Sequence, residues 1–372
     1  MIRRVGRGYA REVTESWLDR PTTPRAGEEL DLGRLSEYLS SVLGLEGEVE
    51  ISQYPRGFSN LTYSVRAGDR ELVLRRPPFG ASIRSAHDMG REYRILSALS
   101  TAYPKAPATV GYCDDEAVLG APFYLMERVE GVILRADMPP SMNPDPPLMK
   151  GISQAWVATL AELHAVDYAA AGLGELGRPA GYIGRQVEGW AKRYRAAATD
   201  DVASLDLTAA WLADHLPPEG TAALIHNDFK YDNVVLDSRD WARILAVLDW
   251  EMATLGDPLM DLGTSLGYWV DAEDPPELRE LKLSPTTLAG NPSRTEVCQG
   301  YAVASGRDVG NPVFYYVFGL FKIAVIVQQI YRRFRLGLTA DDRFAHLDRA
   351  VSSCGRTAQQ AILRDRIDRL YD

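Results

Sequence analysis

The 372 residues are 46% hydrophobic and 25% charged, enough for two sizeable cores. With 41 Lys and Arg against 51 Asp and Glu the formal charge is −10, which excludes a sequence-independent grip on nucleic acid phosphates. Cys113, Cys298 and Cys354 are odd in number and far apart, so they build neither a disulfide framework nor a zinc knuckle and fit a reducing, cytoplasmic setting.

The start, MIRRVGRGYAREVTESW, is basic but has no apolar stretch behind it, so no secretory signal is expected. Residues 1–30 close on PTTPRAGEEL and read as an arm or linker. Asp31 stands to cap a helix with Leu32, Leu35, Leu39, Val42 and Leu43 on one stripe, and Gly44 to stop it. VEISQY, NLTYSV and ELVLRR then have strand character, with turns at Gly57 and the AGD segment, and predict an antiparallel meander. Ser85 and Asp88 have capping-box spacing ahead of Met89, Tyr93, Leu96 and Leu99, and PFYLMERV supplies a further strand.

The proline-rich stretch at 136–151 predicts a break in regular structure, and Ile152, Trp156, Leu160 and Leu163 repeat at helical spacing beyond it. The remainder is expected to be mainly helical, apart from the compact group AALIHND, NVVLD and RILAVLDW. Residues 313–330, VFYYVFGLFKIAVIVQQI, are long enough to raise a membrane span. Lys322 near their middle would cost about 2.5–3.5 kcal/mol at a bilayer centre, so a buried helix is expected and no membrane partner.

The informative block is LIHNDFKYDNVVLD at 224–237 with ILAVLDWE at 244–251 and GDPLMDLG at 256–263. Asp228, Asn233 five positions later, and Asp249 on a following hairpin-like run have the spacing by which kinases place a catalytic Asp and two metal ligands. Phosphoryl transfer needs positioning and charge neutralisation, because negative charge spreads over the γ-phosphate oxygens. Mg²⁺ takes one or two protein oxygen ligands besides phosphates and waters, and Asn233 and Asp249 suffice for that. Asp228 would orient the acceptor hydroxyl, Lys230 would set an ammonium beside the transferred phosphate, and His226, Asp257 and Asp261 read as architectural.

This block resembles the aminoglycoside phosphotransferase family, and LDW with GDPxxDLG is closer to that family than to protein kinases; the kinase-like domains fused to certain acyl-CoA dehydrogenases are similar too. The likeness runs from about residue 45 to 350 and is specific at 224–263. It implies an α+β, two-lobed protein-kinase-like fold, with an N-terminal antiparallel-sheet lobe at 31–130 that binds nucleotide and a larger, mainly helical C-terminal lobe at 131–372. It implies ATP and Mg²⁺ as cofactors and a small-molecule hydroxyl as acceptor. RGFSNLTYSV takes the place of the glycine-rich loop, with Gly57, Ser59 and Asn60 as candidates for phosphate. Arg75 matches the strand lysine, a departure from the kinase pattern, with Glu92 as its partner. MERVEG at 126–131 resembles the hinge, Met126 gating the base and the backbone of Glu127 and Val129 bonding it.

Between 201 and 280 there are 17 acidic and four basic residues, which would suit a polycation such as an aminoglycoside and an antibiotic-resistance role. The loop at 271–294 is read as irregular and substrate-selective. An aminoglycoside-like polycation is thus the lead acceptor; the run Arg75-Arg76-Pro77-Pro78 resembles the acyl-CoA-dehydrogenase-linked domains at least as well, which implies a hydroxyacyl-CoA as the alternative, with Arg332, Arg333 and Arg335 for its phosphates. A nucleotide-binding pseudokinase is the reading that the Arg75 departure leaves open. Oligomeric state is not legible.

Overall fold

The computed structural model describes residues 17–55, 60–79, 88–139, 141–339 and 342–372. In chain order the elements are α1 (Leu32–Leu43), β1 (Val49–Gln53), β2 (Leu61–Ala67), β3 (Arg70–Arg76), α2 (Met89–Ala102), β4 (Thr109–Cys113), α3 (Glu116–Leu119) and β5 (Phe123–Glu127). There follow α4 (Pro146–His164), α5 (Tyr182–Ala197), α6 (Ala203–Asp214), β6 (Ala223–Ile225), β7 (Val234–Leu236), β8 (Ile244–Val247) and β9 (Thr254–Gly256). Last come α7 (Pro258–Tyr268), α8 (Pro276–Glu280), α9 (Arg294–Ser305), α10 (Val313–Arg335) and α11 (Leu347–Arg364). The chain forms two compact units: Met1–Ile133 with Ala169–Leu173 and Val234–Met252, and Leu134–Tyr168 with Gly174–Asn233 and Ala253–Asp372.

In the first unit a five-stranded antiparallel sheet has the order β1-β2-β3-β5-β4. Tyr63 lies opposite Leu74 and Val65 opposite Leu72, and these pairs form one apolar face with Phe123 and Leu125. α1 lays Leu35, Tyr38 and Leu39 on that face, capped by Asp31 and ended by Gly44 in the left-handed region. Because strand side chains alternate, Arg75 projects from the other face, where α2 carries Glu92. The expected strands are present; β4 was not anticipated, since TVGYC lacks strong alternation. Asp88 caps α2 by accepting from Arg91 N–H, and Ser85 lies outside the described residues. Residues expected to be a linker pack on this unit: Trp17 meets Trp241 edge-on at 5.4 Å, and Thr22 pairs with Gln53.

In the second unit α10 packs on α5, α7 and α11. It is long and apolar enough to cross a membrane, but 83% of its most apolar window is buried within the protein, as expected of a core helix. A Cβ at Gly319 would stand 2.1 Å from Gly263 O, so α7 and α10 meet backbone to backbone. The proline-rich stretch does not delay helix formation to Gly151. α4 starts at Pro146, because Asp145 caps it and its prolines occupy first-turn positions that need no N–H. The segment at 271–294 is less irregular than expected: it contains α8, and Arg294 pins it through Asp271, Asp274 and the carbonyls of Trp269 and Ile367.

Candidate functional site

β6 pairs with β9, and the chain leaving β6 carries the 226–233 loop in the second unit. Asn227 has φ 65°, a left-handed conformation uncommon outside glycine, and it is held at three polar groups. Its N–H donates to Asp261 Oδ1 at 2.7 Å, its side-chain oxygen accepts from Tyr182 at 3.1 Å, and its carbonyl accepts from Lys322 Nζ at 2.7 Å. Asp261, fully buried on α7, also accepts from His226 N–H at 2.6 Å and lies 3.1 Å from His164 Nε2. Burial raises its carboxyl, but the hydrogen bond and charge of His164 and the His226 contacts outweigh that and hold it below the usual range. Asp257 caps α7, as expected of an architectural residue.

Asp228 follows directly. Its carboxylate lies 3.0 and 3.2 Å from Lys230 Nζ, and Asn233 Nδ2 donates to its Oδ2 at 2.9 Å and to its carbonyl at 2.8 Å. Its N–H points at His226 Nδ1 at 3.3 Å. Burial would lower the Lys230 ammonium, but Asp228 outweighs it and keeps Lys230 above its ordinary value; the Tyr268 ring lies 4.8 Å below. The result is a carboxylate held by two side chains, those of Lys230 and Asn233.

In the first unit β7 and β8 form the hairpin that delivers Asp249, also left-handed at φ 67°. Arg75 Nη2 donates to Asp249 Oδ1 at 3.0 Å, and Nη1 to Glu92, itself 1% exposed. Glu92 in turn accepts the N–H of Trp250 at 3.2 Å, which ties α2 to the residue after Asp249. Burial would lower the guanidinium, but Glu92, Tyr124 and Asp249 keep it raised and permanently charged. Glu251, not singled out in the sequence, lies 3.8 Å from Arg75 and accepts from Asn60 Nδ2 at 2.7 Å. Arg76 faces away, over the Phe79 ring.

Asn60 is therefore beside Glu251, while Gly57 and Ser59 lie outside the described residues. Met126 is buried in β5 opposite Val73. Glu127 N–H donates to Ala108 O at 2.8 Å, so that N–H is engaged within the protein; its side chain pairs with Arg70. Val129 follows in irregular backbone. His164, Tyr182, Asn227 and Lys322 were not read as site residues. Of these, Lys322 had a visible signal, a cation inside the apolar run 313–327.

Among the described residues no three His, Cys, Asp or Glu side chains cluster to hold a metal. A magnesium ion needs less. The hydrogen bonds of Asn233 leave from Nδ2 and so orient its amide oxygen as a donor, and Asp249 is one-third exposed at 33%. Each is, taken by itself, an oxygen group of the kind magnesium accepts.

The phosphotransferase enzyme family matches residues 50–291. Acyl-CoA dehydrogenase family member 10 of Mus musculus is 38% identical over 303 residues, covering 80% of this chain and 28% of the mouse protein, so the chain spans under a third of that relative. A solved candidate aminoglycoside phosphotransferase of Ralstonia eutropha JMP134 is 30% identical with a TM-score of 0.74, over 89% of this chain and 98% of that one. Aminoglycoside phosphotransferase APH(4)-Ia, solved with AMP-PNP and hygromycin B, shares the fold at 20% identity and a TM-score of 0.58, over 89% and 98%. The α+β, kinase-like architecture is thus that of the aminoglycoside phosphotransferases, and the chain belongs to the phosphotransferase enzyme family.

Proposed function

We propose that the chain transfers the γ-phosphate of ATP to a hydroxyl of a small molecule, with Asp228 as the group that receives the hydroxyl proton. The observation that carries this is the Asp228 carboxylate held between the Lys230 ammonium and the Asn233 amide. As the acceptor oxygen bonds to phosphorus, its proton passes to Asp228, the bridging P–O bond breaks, and ADP leaves with the electron pair. Lys230 is placed to neutralise charge on the moving phosphate. Asn233 and Asp249 are the proposed magnesium ligands, and the ion would neutralise phosphate charge when bound. Arg75, aligned by Glu92, is the proposed clamp for the nucleotide phosphates, and Met126, Glu127 and Val129 the adenine contacts.

For the acceptor we favour a hydroxyacyl-CoA over a polycation. Five of the 17 acidic residues that would attract an aminoglycoside are engaged within the fold: Asp257 in helix capping, Asp261 with the 226–227 backbone, Asp271 and Asp274 with Arg294, Asp237 with Arg243. Arg332 and Arg333, exposed in the last turn of α10, are candidates for the coenzyme phosphates. The acyl-CoA dehydrogenase name of the mouse relative points the same way; the Ralstonia eutropha structure favours the aminoglycoside as second reading. Mg²⁺-dependent ADP release is to be measured against 4-hydroxyacyl-CoAs, aminoglycosides and simple amino-alcohols, with Asp228→Ala as control. Turnover of the thioesters alone, absent in the control, supports the proposal; turnover confined to aminoglycosides replaces the acceptor, and nucleotide binding without any turnover identifies a pseudokinase.

A further inference from the structure

Lys322 is 2% exposed within the apolar run 313–327 of α10, where an ammonium is costly unless it has a task. Its Nζ donates to one main-chain atom, Asn227 O, at 2.7 Å, and lies 5.6 Å from the Trp190 ring centroid. Asn227 is the left-handed residue directly before Asp228, so its ψ and the Asp228 φ set the direction in which that carboxylate leaves the loop. Asp261 holds the N–H of Asn227 and Tyr182 its side-chain oxygen, while Lys322 holds its carbonyl.

We propose that Lys322 is a positioning residue for phosphoryl transfer: its ammonium locks the Asn227 carbonyl and thereby aims the Asp228 carboxylate at the acceptor hydroxyl. This rests on the transfer reaction proposed above. The lock is sensitive to pH. Burial pulls the ammonium down to about 8; Asp228 and Asp261 pull the other way, and Lys230 and Arg193 add to the lowering. Above that pH Lys322 is neutral and its hold on the carbonyl weakens. The sign for stability is opposite: the unfolded chain keeps this proton up to its ordinary value of 10.5, so from this group folding becomes more favourable as pH rises past 8. Activity therefore falls in a range where Lys322 adds stability.

The test compares the full chain as wild type, Lys322→Met and Lys322→Arg, by ADP release with ATP, Mg²⁺ and 4-hydroxyacyl-CoA, by Mg·ATP binding, and by amide hydrogen exchange of residues 226–231. Lys322→Met is expected to fold and to bind Mg·ATP as wild type does, with kcat down about 100-fold, the cost of a misplacement of about 1 Å. Its 226–231 amides exchange faster. In wild type kcat and the protection of 226–231, corrected for intrinsic rate, fall together through pH 8 with the thermal midpoint maintained from pH 7.5 to 9. Lys322→Arg, charged throughout, lacks that fall. Wild-type kcat and protection in Lys322→Met, or an unchanged alkaline fall in Lys322→Arg, would overturn the proposal. Should the Arg variant fail to fold, the Met variant and the wild-type exchange profile decide. If no acceptor, water included, is phosphorylated by wild type, the transfer reading fails, and the exchange comparison still decides for or against the lock.

Discussion

Replacing Arg75 by Met removes one half of a buried ion pair and leaves Glu92, 1% exposed, with the Trp250 N–H and the Tyr124 hydroxyl beside it but no cation to pair with. An uncompensated buried charge costs about 3–5 kcal/mol, and the loss in the free energy of unfolding is expected in that range. Glu92→Leu is milder, because Arg75 keeps Asp249 at 3.0 Å and Glu251 at 3.8 Å, both on partly exposed side chains. The double variant removes the stranded charge, so it should be more stable than Arg75→Met alone, with a coupling energy of about 2 kcal/mol or more. Urea unfolding followed by tryptophan fluorescence measures all four corners of the cycle, and a nucleotide titration runs beside it. Mg·ATP affinity should be lost in both variants that lack Arg75, whatever their stability. Additive destabilisation, or a double variant that regains nucleotide affinity, would refute the view that one side chain serves both the pair and the phosphates.

Asn233→Ala removes one proposed magnesium oxygen and a hydrogen-bond donor to Asp228; a magnesium titration of ADP release should show a higher half-saturating concentration and a lower plateau. Gly319→Ala drives a Cβ to 2.1 Å from Gly263 O and should cost about 1–3 kcal/mol by overpacking α7 on α10, read as a drop in thermal midpoint. Burial pushes the Asp271 carboxyl up to about 7, against Arg294 and with Asp274. The folded state thus keeps a proton that the unfolded chain releases near its ordinary 3.8, and the stability from this group is lost as pH rises through 7. Denaturant unfolding at pH 5.5 and 8 should show that loss in wild type and a smaller one in Asp271→Asn.

How far the sequence carried the fold depended on range. The α1 stripe, the β1-β2-β3 meander and the apolar α10 are set by local periodicity and were legible, as was the spacing of Asp228, Asn233 and Asp249. β4 was not, because Gly111 and Cys113 give no alternation. Pro146 and Pro147 were misread because a proline stops a helix in its interior but suits its first turn, and only the cap at Asp145 tells the two apart. The arrangement of carboxylates was the least legible. Seventeen acidic residues in 201–280 look like a field for a cation when counted, yet several are already matched by Arg294, by helix N–H groups or by loop backbone.

Asn227 and Asp249 extend that point to the chemistry. Each is a non-glycine residue in the left-handed region, a conformation that costs about 1–3 kcal/mol and persists only where surrounding contacts over-determine it. Asn227 is held by Asp261, Tyr182 and Lys322, from three helices of the second unit. Asp249 is held by Arg75 and, through the next residue, by Glu92, from a strand and a helix of the first. Each unit therefore presets its own part of the machinery through its own packing. A loop motif alone does not specify such a geometry, because the grips come from residues up to 174 positions away. That is why spacing alone singled out Asp228 and Asp249 as candidates, while the residues that hold their loops gave little signal in the sequence.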